Sequence, residues 1–479
     1  MTTAARERSG GAPVFFRSLL TAVQWGFLGY FVLLNAIYLA FAFIAVWRLR
    51  GYMGGRSAAE RVYSHLQMPI SLVVPAYNEA ATIATSVRAL LQLRYQHFEV
   101  IIVNDGSKDD TLATLIREFE LTPFPEAYRV QIKTKPVRGV YRSLKYPNLR
   151  VIDKENGGSK ADASNAGINA ARYPIFYCGD ADSILDPHAL EHVVRPFLED
   201  PSTVACGGTV RIINGCTVRG GVLERVGLPR NPLALVQVVE YLRAFLGGRL
   251  GWSAVNGMLI VSGAFGVFHR DTVVEAGGYR HDAIGEDMEL IVRLHRMLVK
   301  RGQRYRVAFI PDPVCWTDAP EDIATLRKQR KRWQRGLGQC LWLNRELCFM
   351  RGSGAAGWLA FPFFVVFELL SPLVEVAGLA IMAVAFAMGM MTAGNFLAFM
   401  VAAFALGLML STTALLLEEL SFHTYPKARH LFVLFLVSIV ENFGYRQVMS
   451  VWRLHALYEW LSGAQIGWGD MKRKATWQQ

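Results

Sequence analysis

The chain has 479 residues, of which 52% are hydrophobic and only 19% charged, with a formal net charge of +12. That length allows about three domains of ordinary size. The charge deficit is local, since residues 18–47 and 376–417 carry no charge at all, which argues against a purely soluble chain and for a polar block between membrane segments. The basic surplus lies close to the apolar segments, in 326–335 and 471–474, where it suits anionic lipid headgroups and an anionic substrate. No nucleic-acid motif accompanies it, so nucleic acid is not an expected partner. Cys178, Cys206, Cys216, Cys315, Cys340 and Cys348 show neither CxxC nor zinc spacing and are expected as thiols of a cytoplasmic block.

In chain order, residues 1–17 read as a disordered N-terminus and 18–48 as a transmembrane helix, since about 20 apolar residues cross a ~30 Å core. No signal-peptide pattern precedes that run, so it is expected to stay as an anchor. Arginines on both sides give a weak positive-inside bias for a cytoplasmic 48–350. Strand Ile70–Val74 stops at Pro75, and Asn78 or Glu79 opens a helix to about Leu93. Strand Glu99–Val103 ends in Asn104-Asp105-Gly106-Ser107, with Ser107 placed to cap a helix Asp109–Glu120. The strand–helix alternation with polar strand ends predicts a doubly wound α/β sheet. Turn chemistry is the plain alternative at each of these ends.

Residues 121–150 read as a surface excursion, followed by a strand at Val151–Asp153. Asn156-Gly-Gly-Ser-Lys160 leads into a helix Ala161–Ala171, where glycines at a helix start suit either phosphate approach or a simple cap. The apolar run 175–179 then ends in Asp180-Ala181-Asp182. Ligands bind at the carboxyl ends of strands in open α/β sheets. Two acids there suit a hard divalent cation, and a plain turn is the competing reading. Further strands are expected at Thr203–Arg211, Met258–Phe268 and Tyr305–Ile310, and helices at Gln237–Phe245 and Met288–Lys300. Glu286 and Asp287 open the last of these, where acids also simply complement the helix dipole.

Pro320–Met350 reads as a basic amphipathic helix in the membrane interface, within a 320–356 interface region. A membrane region 357–452 follows, with spans at about 371–391 and 395–417 and a segment 431–452 that is either a third span or an interfacial element. Residues 453–479 read as a polar basic tail. Positive-inside counting conflicts here, because Lys427/Arg429 and Lys472–Lys474 both favour the cytoplasm while a third span would separate them.

Taken in order, Pro75-Ala-Tyr-Asn-Glu79, Asn104-Asp-Gly, Gly157-Gly-Ser-Lys160, Asp180-Ala-Asp182, Gly285-Glu-Asp287 and Gln329-Arg-Lys-Arg-Trp333 resemble the membrane-embedded family 2 glycosyltransferases, the group of cellulose, hyaluronan, chitin and poly-N-acetylglucosamine synthases. The resemblance covers about 69–350 and implies a GT-A catalytic domain at 69–318, in the cytoplasm, joined to a multi-pass bundle in the cytoplasmic (inner) membrane. It implies a UDP-sugar donor bound by Tyr77, Glu79, Asp105, Lys160, Asp180, Arg330 and Arg332. Asp180 and Asp182 are implied ligands of Mg²⁺ or Mn²⁺, Asp287 the base of an inverting transfer, and Gln329, Trp333 and Glu286 acceptor contacts. The implied acceptor is a growing polysaccharide, with a single lipid acceptor as the alternative and a degenerate, non-catalytic subunit as a third reading. A single span before the catalytic block departs from the family's larger channels, so the channel is expected to be short, shared in a homo-oligomer, or completed by a small partner subunit. No gating-loop motif follows Trp333, and no cyclic-dinucleotide-binding domain is expected.

Overall fold

The computed structural model describes residues 11–63, 66–389 and 392–463. Twelve strands are present among them. These are β1 (Ile70–Ala76), β2 (Phe98–Asn104), β3 (Leu121–Pro123), β4 (Val137–Ser143), β5 (Leu149–Lys154), β6 (Ile175–Cys178), β7 (Ile184–Leu185), β8 (Thr203–Ile212), β9 (Thr217–Arg219), β10 (Val222–Arg225), β11 (Gly266–His269) and β12 (Arg306–Thr317). Ten form one sheet in the order β3-β4-β5-β2-β1-β6-β11-β8-β12-β7, and β9 pairs with β10 alone. The central β5-β2-β1-β6 block is parallel, β8 and β12 are parallel, and β11 is antiparallel to both β6 and β8. The expected doubly wound, mixed α/β sheet is therefore the one observed.

Helices cover both faces of the central strands, which explains why β1 and β2 read as unbroken apolar runs. The polar exception, Glu99 in β2, is buried and fully engaged. It pairs with Arg150 of β5 at 2.6 Å and accepts from Ser71 Oγ of β1 at 2.6 Å and from the Arg172 amide at 2.9 Å. One carboxylate thus stitches three strands, as a buried charge requires.

Several expectations change in detail. The helix after β1 starts at Ile83, because Asn78 takes a left-handed φ of 55° and breaks the path that a helix from Asn78 would need. Ser107 does not cap the next helix, Thr111–Phe119; its Oγ accepts from the Asn78 amide at 3.0 Å, while the Asp109 carboxylate accepts from the Thr111 amide. The excursion at 121–150 supplies the edge strand β3 and its neighbour β4. Of the expected strand Met258–Phe268 only the last three residues fall in a strand, Gly266–His269, and β12 runs through Pro311 and Pro313 with register shifts. All six cysteines are free thiols.

The N-terminal helix runs Gly11–Tyr63, so residues 11–17 are helical rather than disordered, and 1–10 lie outside the described residues. Its stretch Thr21–Gly55 is long and apolar enough to cross a membrane. Two more crossings follow, three in all, if the bent pairs Ala356–Leu369 with Ser371–Ala387, and Ala428–Val440 with Tyr445–Leu461, count as one each. The expected span at 395–417 lies within a single helix, Ala393–Ser421. Residues 453–461, read as tail, complete the helix Tyr445–Leu461, and 464–479 lie outside the described residues.

Candidate active site

The carboxyl ends of β1, β2, β5 and β6 point the same way, and their loops are tied together. The Lys108 amide donates to Asn78 Oδ1 at 2.9 Å, and the Glu79 amide donates to Thr111 Oγ1 at 2.9 Å. The loop after β1 thereby presents Tyr77 and Glu79 to a cavity. After β6 the chain turns at once, with the Ser183 amide donating to Asp180 O at 3.3 Å. The turn reading of Asp180–Ser183 is thus realised, and the turn sets Asp180 at the cavity wall while Asp182 is buried behind it.

Lys160 opens the helix Lys160–Ala170 and reaches across to this turn. Its Nζ donates to Asp180 Oδ1 at 2.7 Å and to Gly263 O at 2.9 Å. Burial works to lower the Lys160 pKa, but the charges of Asp180, Cys178 and Glu286 overrule it and hold it above the usual lysine range. Asp287 arrives from the other side, in the first turn of Glu286–Lys300. A Cβ added to Gly263 would lie 3.2 Å from Asp287 Oδ2 and 3.8 Å from Lys160 Nζ. Glycine at 263 therefore lets the lysine and the carboxylate converge on one point. Glu286 is buried beside them, and burial pushes its carboxyl up to about 7, with Lys160 and Arg332 opposing and Asp287 and Asp180 reinforcing.

Helix Ile323–Leu343 brings Gln329, Arg330, Arg332 and Trp333 to the same cavity. Its approach is set by backbone contact, since a Cβ on Gly336 would meet Gly285 N at 3.0 Å and Gly285 Cα at 3.2 Å. Arg330 spends its charge on Glu240 at 2.5 Å and lies over the Trp333 ring, 4.7 Å from its centroid. There it braces the tryptophan at the cavity wall. Lys331 pairs with Glu459 at 2.6 Å. Asp105 is buried and does not reach the cavity wall; it takes Lys154 Nζ at 2.5 Å and the Gly157 amide at 3.1 Å. Lys154, wholly buried, also pairs with Asp162 at 2.5 Å.

The cavity encloses about 1530 Å³ and runs on from these residues between the apolar helices. Tyr38, Glu368, Glu375, Arg446 and Arg453 line its far part. Arg249 was not singled out from sequence; it lines the near part, 3.8 Å over the Phe245 ring, and burial lowers it to about 10 against the pull of Asp287. Its only sequence signal is a lone charge in the apolar stretch 244–254.

Two family models match this architecture. That of "Glycosyl transferase family 2" matches residues 71–242, and that of "Glycosyl transferase family group 2" matches residues 175–417, just over half of the chain. The chain belongs to glycosyl transferase family group 2. As a family 2 glycosyltransferase it resembles the poly-β-1,6-N-acetyl-D-glucosamine synthase of Staphylococcus aureus, 30% identical over 267 residues, which are 56% of this chain and 54% of that protein. The Staphylococcus epidermidis enzyme of that name is 28% identical over the same share. The chain thus spans about half the length of these curated relatives. Among solved structures, a mannosyltransferase from Pyrobaculum calidifontis in complex with GDP-Man and Mn²⁺ aligns with a TM-score of 0.49 at 18% identity, covering 88% of this chain and 99% of that one.

Proposed function

We propose that this glycosyltransferase inverts a UDP-activated sugar to extend a β-linked polysaccharide at the cytoplasmic membrane and passes the product across it, with the catalytic domain in the cytoplasm. One observation carries the reading. The wall holding Lys160, Asp180, Asp287 and Trp333 continues without a break into a polar wall on the apolar helices. At about 1530 Å³ the cavity exceeds the ~300–1,000 Å³ typical of small-ligand sites. The surplus length suits a chain of sugars. The names of the Staphylococcus relatives make N-acetylglucosamine the first donor sugar to try.

In this reading Tyr77 and Glu79 border the uridine, and Asp105, fixed by Lys154, holds the Gly157 loop against it. Lys160 and Arg332 approach the diphosphate, to which an arginine can donate in bidentate fashion. Asp180 and Asp182 offer carboxylate oxygens, the donor type of hard cations. Among the described residues they are not joined by further acids, histidines or cysteines into a group of three or more. That fits a cation that takes the rest of its shell from phosphate and water. Mg²⁺ or Mn²⁺ there would neutralise the departing diphosphate. Trp333 offers a flat face to the acceptor sugar, beside Gln329 and Glu286, and Arg330 holds the indole in place. Asp287 takes the proton of the attacking hydroxyl. A single displacement needs only this one base, and it turns an α-linked donor into a β-linked product.

Purified protein with a panel of labelled UDP-sugars, followed by linkage-specific glycosidase digestion, tests this. High-mass, β-linked product from one UDP-sugar is expected. Transfer of one or two sugars to lipid, or no transfer from any UDP-sugar, would overturn it.

A further inference from the structure

The helices Ala428–Val440 and Tyr445–Leu461 are bent by 57° at the break between them. By length and apolarity alone they form one broken span. The contacts along them place both ends on one side. Just before the pair, Glu418 forms a buried ion pair with Arg211 at the end of β8. At its far end Glu459 pairs with Lys331, and Trp460 packs on Gly338, where a Cβ would come 2.9 Å from the indole. Lys331 and Gly338 belong to the helix that carries Trp333 to the catalytic cavity.

Between these anchors the chain goes deeper and returns. Glu441 Oε1 accepts from Ser411 Oγ at 2.7 Å and pairs with Arg243 at 2.6 Å. A Cβ on Gly407 would collide with Arg446 and Asn442. Ser411 and Gly407 precede Glu418 by seven and eleven residues on one helix, or about 10 and 16 Å of depth at ~1.5 Å per residue. Past this apex, Ser450 contacts Glu375 near the start of Ser371–Ala387, and Arg453 Nε donates to Gln334 Oε1 at 2.8 Å.

We infer that Ala428–Leu461 is a re-entrant element of the membrane. It enters from the side of the catalytic sheet, dips about half of a ~30 Å hydrocarbon core, turns at Glu441–Gly444 and returns to the same side. The inference rests on the membrane reading above. Irregular backbone at such depth is tolerated where it lines a cavity, and Asn442 and Arg446 line this one. Gly444, at φ +89°, makes the turn. Phe432, Val440 and Phe443 stay exposed as a lipid-facing edge. Lys427 and Arg429 then share a side with Ser462, and the charge conflict seen in the sequence disappears.

Single cysteines at four exposed positions outside the cavity test the path: Leu144→Cys on the catalytic sheet, Met388→Cys after the helix Ser371–Ala387, Lys427→Cys and Ser462→Cys. The full chain in right-side-out and inverted membrane vesicles is treated with a membrane-impermeant maleimide, with the unmutated chain as blank. Labelling of Leu144→Cys, Lys427→Cys and Ser462→Cys from one face, and of Met388→Cys only from the other, is expected. Labelling of Ser462→Cys from the Met388→Cys face overturns the re-entrant path while leaving the membrane reading intact. Labelling of all four from one face overturns both.

Discussion

Lys160 joins Asp180, which belongs to the candidate cation pair, to Gly263, which makes room for Asp287. The charge of one lysine therefore lies between the Asp180 turn and the Asp287 carboxylate. Asp287→Asn keeps the shape and removes the base, so turnover should fall by roughly 10²–10⁴-fold with the thermal midpoint unchanged; near-normal turnover would exclude Asp287 as the base. Glu286 gives a pH signature. Its folded pKa of about 7 lies above the ordinary 4.5, so the unfolded chain ionises this group first as pH rises. The folded state binds more protons over that interval, and stability, fully present below pH 4.5, is lost up to about pH 7. The loss is about 3 kcal/mol at ~1.4 kcal/mol per pKa unit. Thermal melts in detergent across pH 4.5–7 should show this fall, and Glu286→Gln should flatten it. Tyr77, Glu79, Lys160, Asp180 and Asp287 were legible in the sequence because each stands at a strand end or helix start, where local pattern sets direction. Arg249 and Lys154 were not, because their importance comes from partners far along the chain.

At the scale of elements, the crossing of Ile323–Leu343 over the start of Glu286–Lys300 sets the distance from Trp333 to Asp287. Gly336 and Gly285 let the two backbones touch. Gly336→Ala removes a helix-weakening glycine, worth about 1 kcal/mol in helix propensity, yet it wedges the crossing apart. Turnover should drop at least tenfold with a larger effect on the acceptor KM than on the donor KM; equal effects on both would place the damage elsewhere. Legibility at this scale was uneven. The parallel strands announced themselves as apolar runs, but β3 and β4 were hidden in a basic, Pro-containing stretch, since half-exposed strands at the margin of a sheet need no such run. The start of the helix after β1 was misplaced because the left-handed Asn78 is set by the bond from its amide to Ser107, a tertiary contact.

At the scale of the molecule, the catalytic sheet and the apolar bundle are fastened by few but buried ties. Arg211 and Glu418 are almost wholly buried. Arg211→Ala leaves the glutamate buried without its charge partner, which costs about 3–5 kcal/mol. A clear fall in thermal midpoint, partly recovered in the double variant Arg211→Ala/Glu418→Gln, is expected; a midpoint unchanged by Arg211→Ala would show that the tie contributes nothing. The number and path of the helices after Pro372 were the least legible part of the sequence. Hydropathy reports whether a segment tolerates lipid, whereas its direction here is set by ion pairs to residues up to about two hundred positions away, such as Arg243 with Glu441.

Sugar transfer and passage of the product are proposed to share one cavity. The direct measurement uses the full chain in sealed proteoliposomes, given labelled UDP-sugar on the outside and then a glycosidase, with and without detergent. A high-mass glycan that resists digestion until detergent opens the vesicle is expected, and none with Asp287→Asn. A high-mass glycan digested fully without detergent, or a lipid carrying one or two sugars, would contradict it.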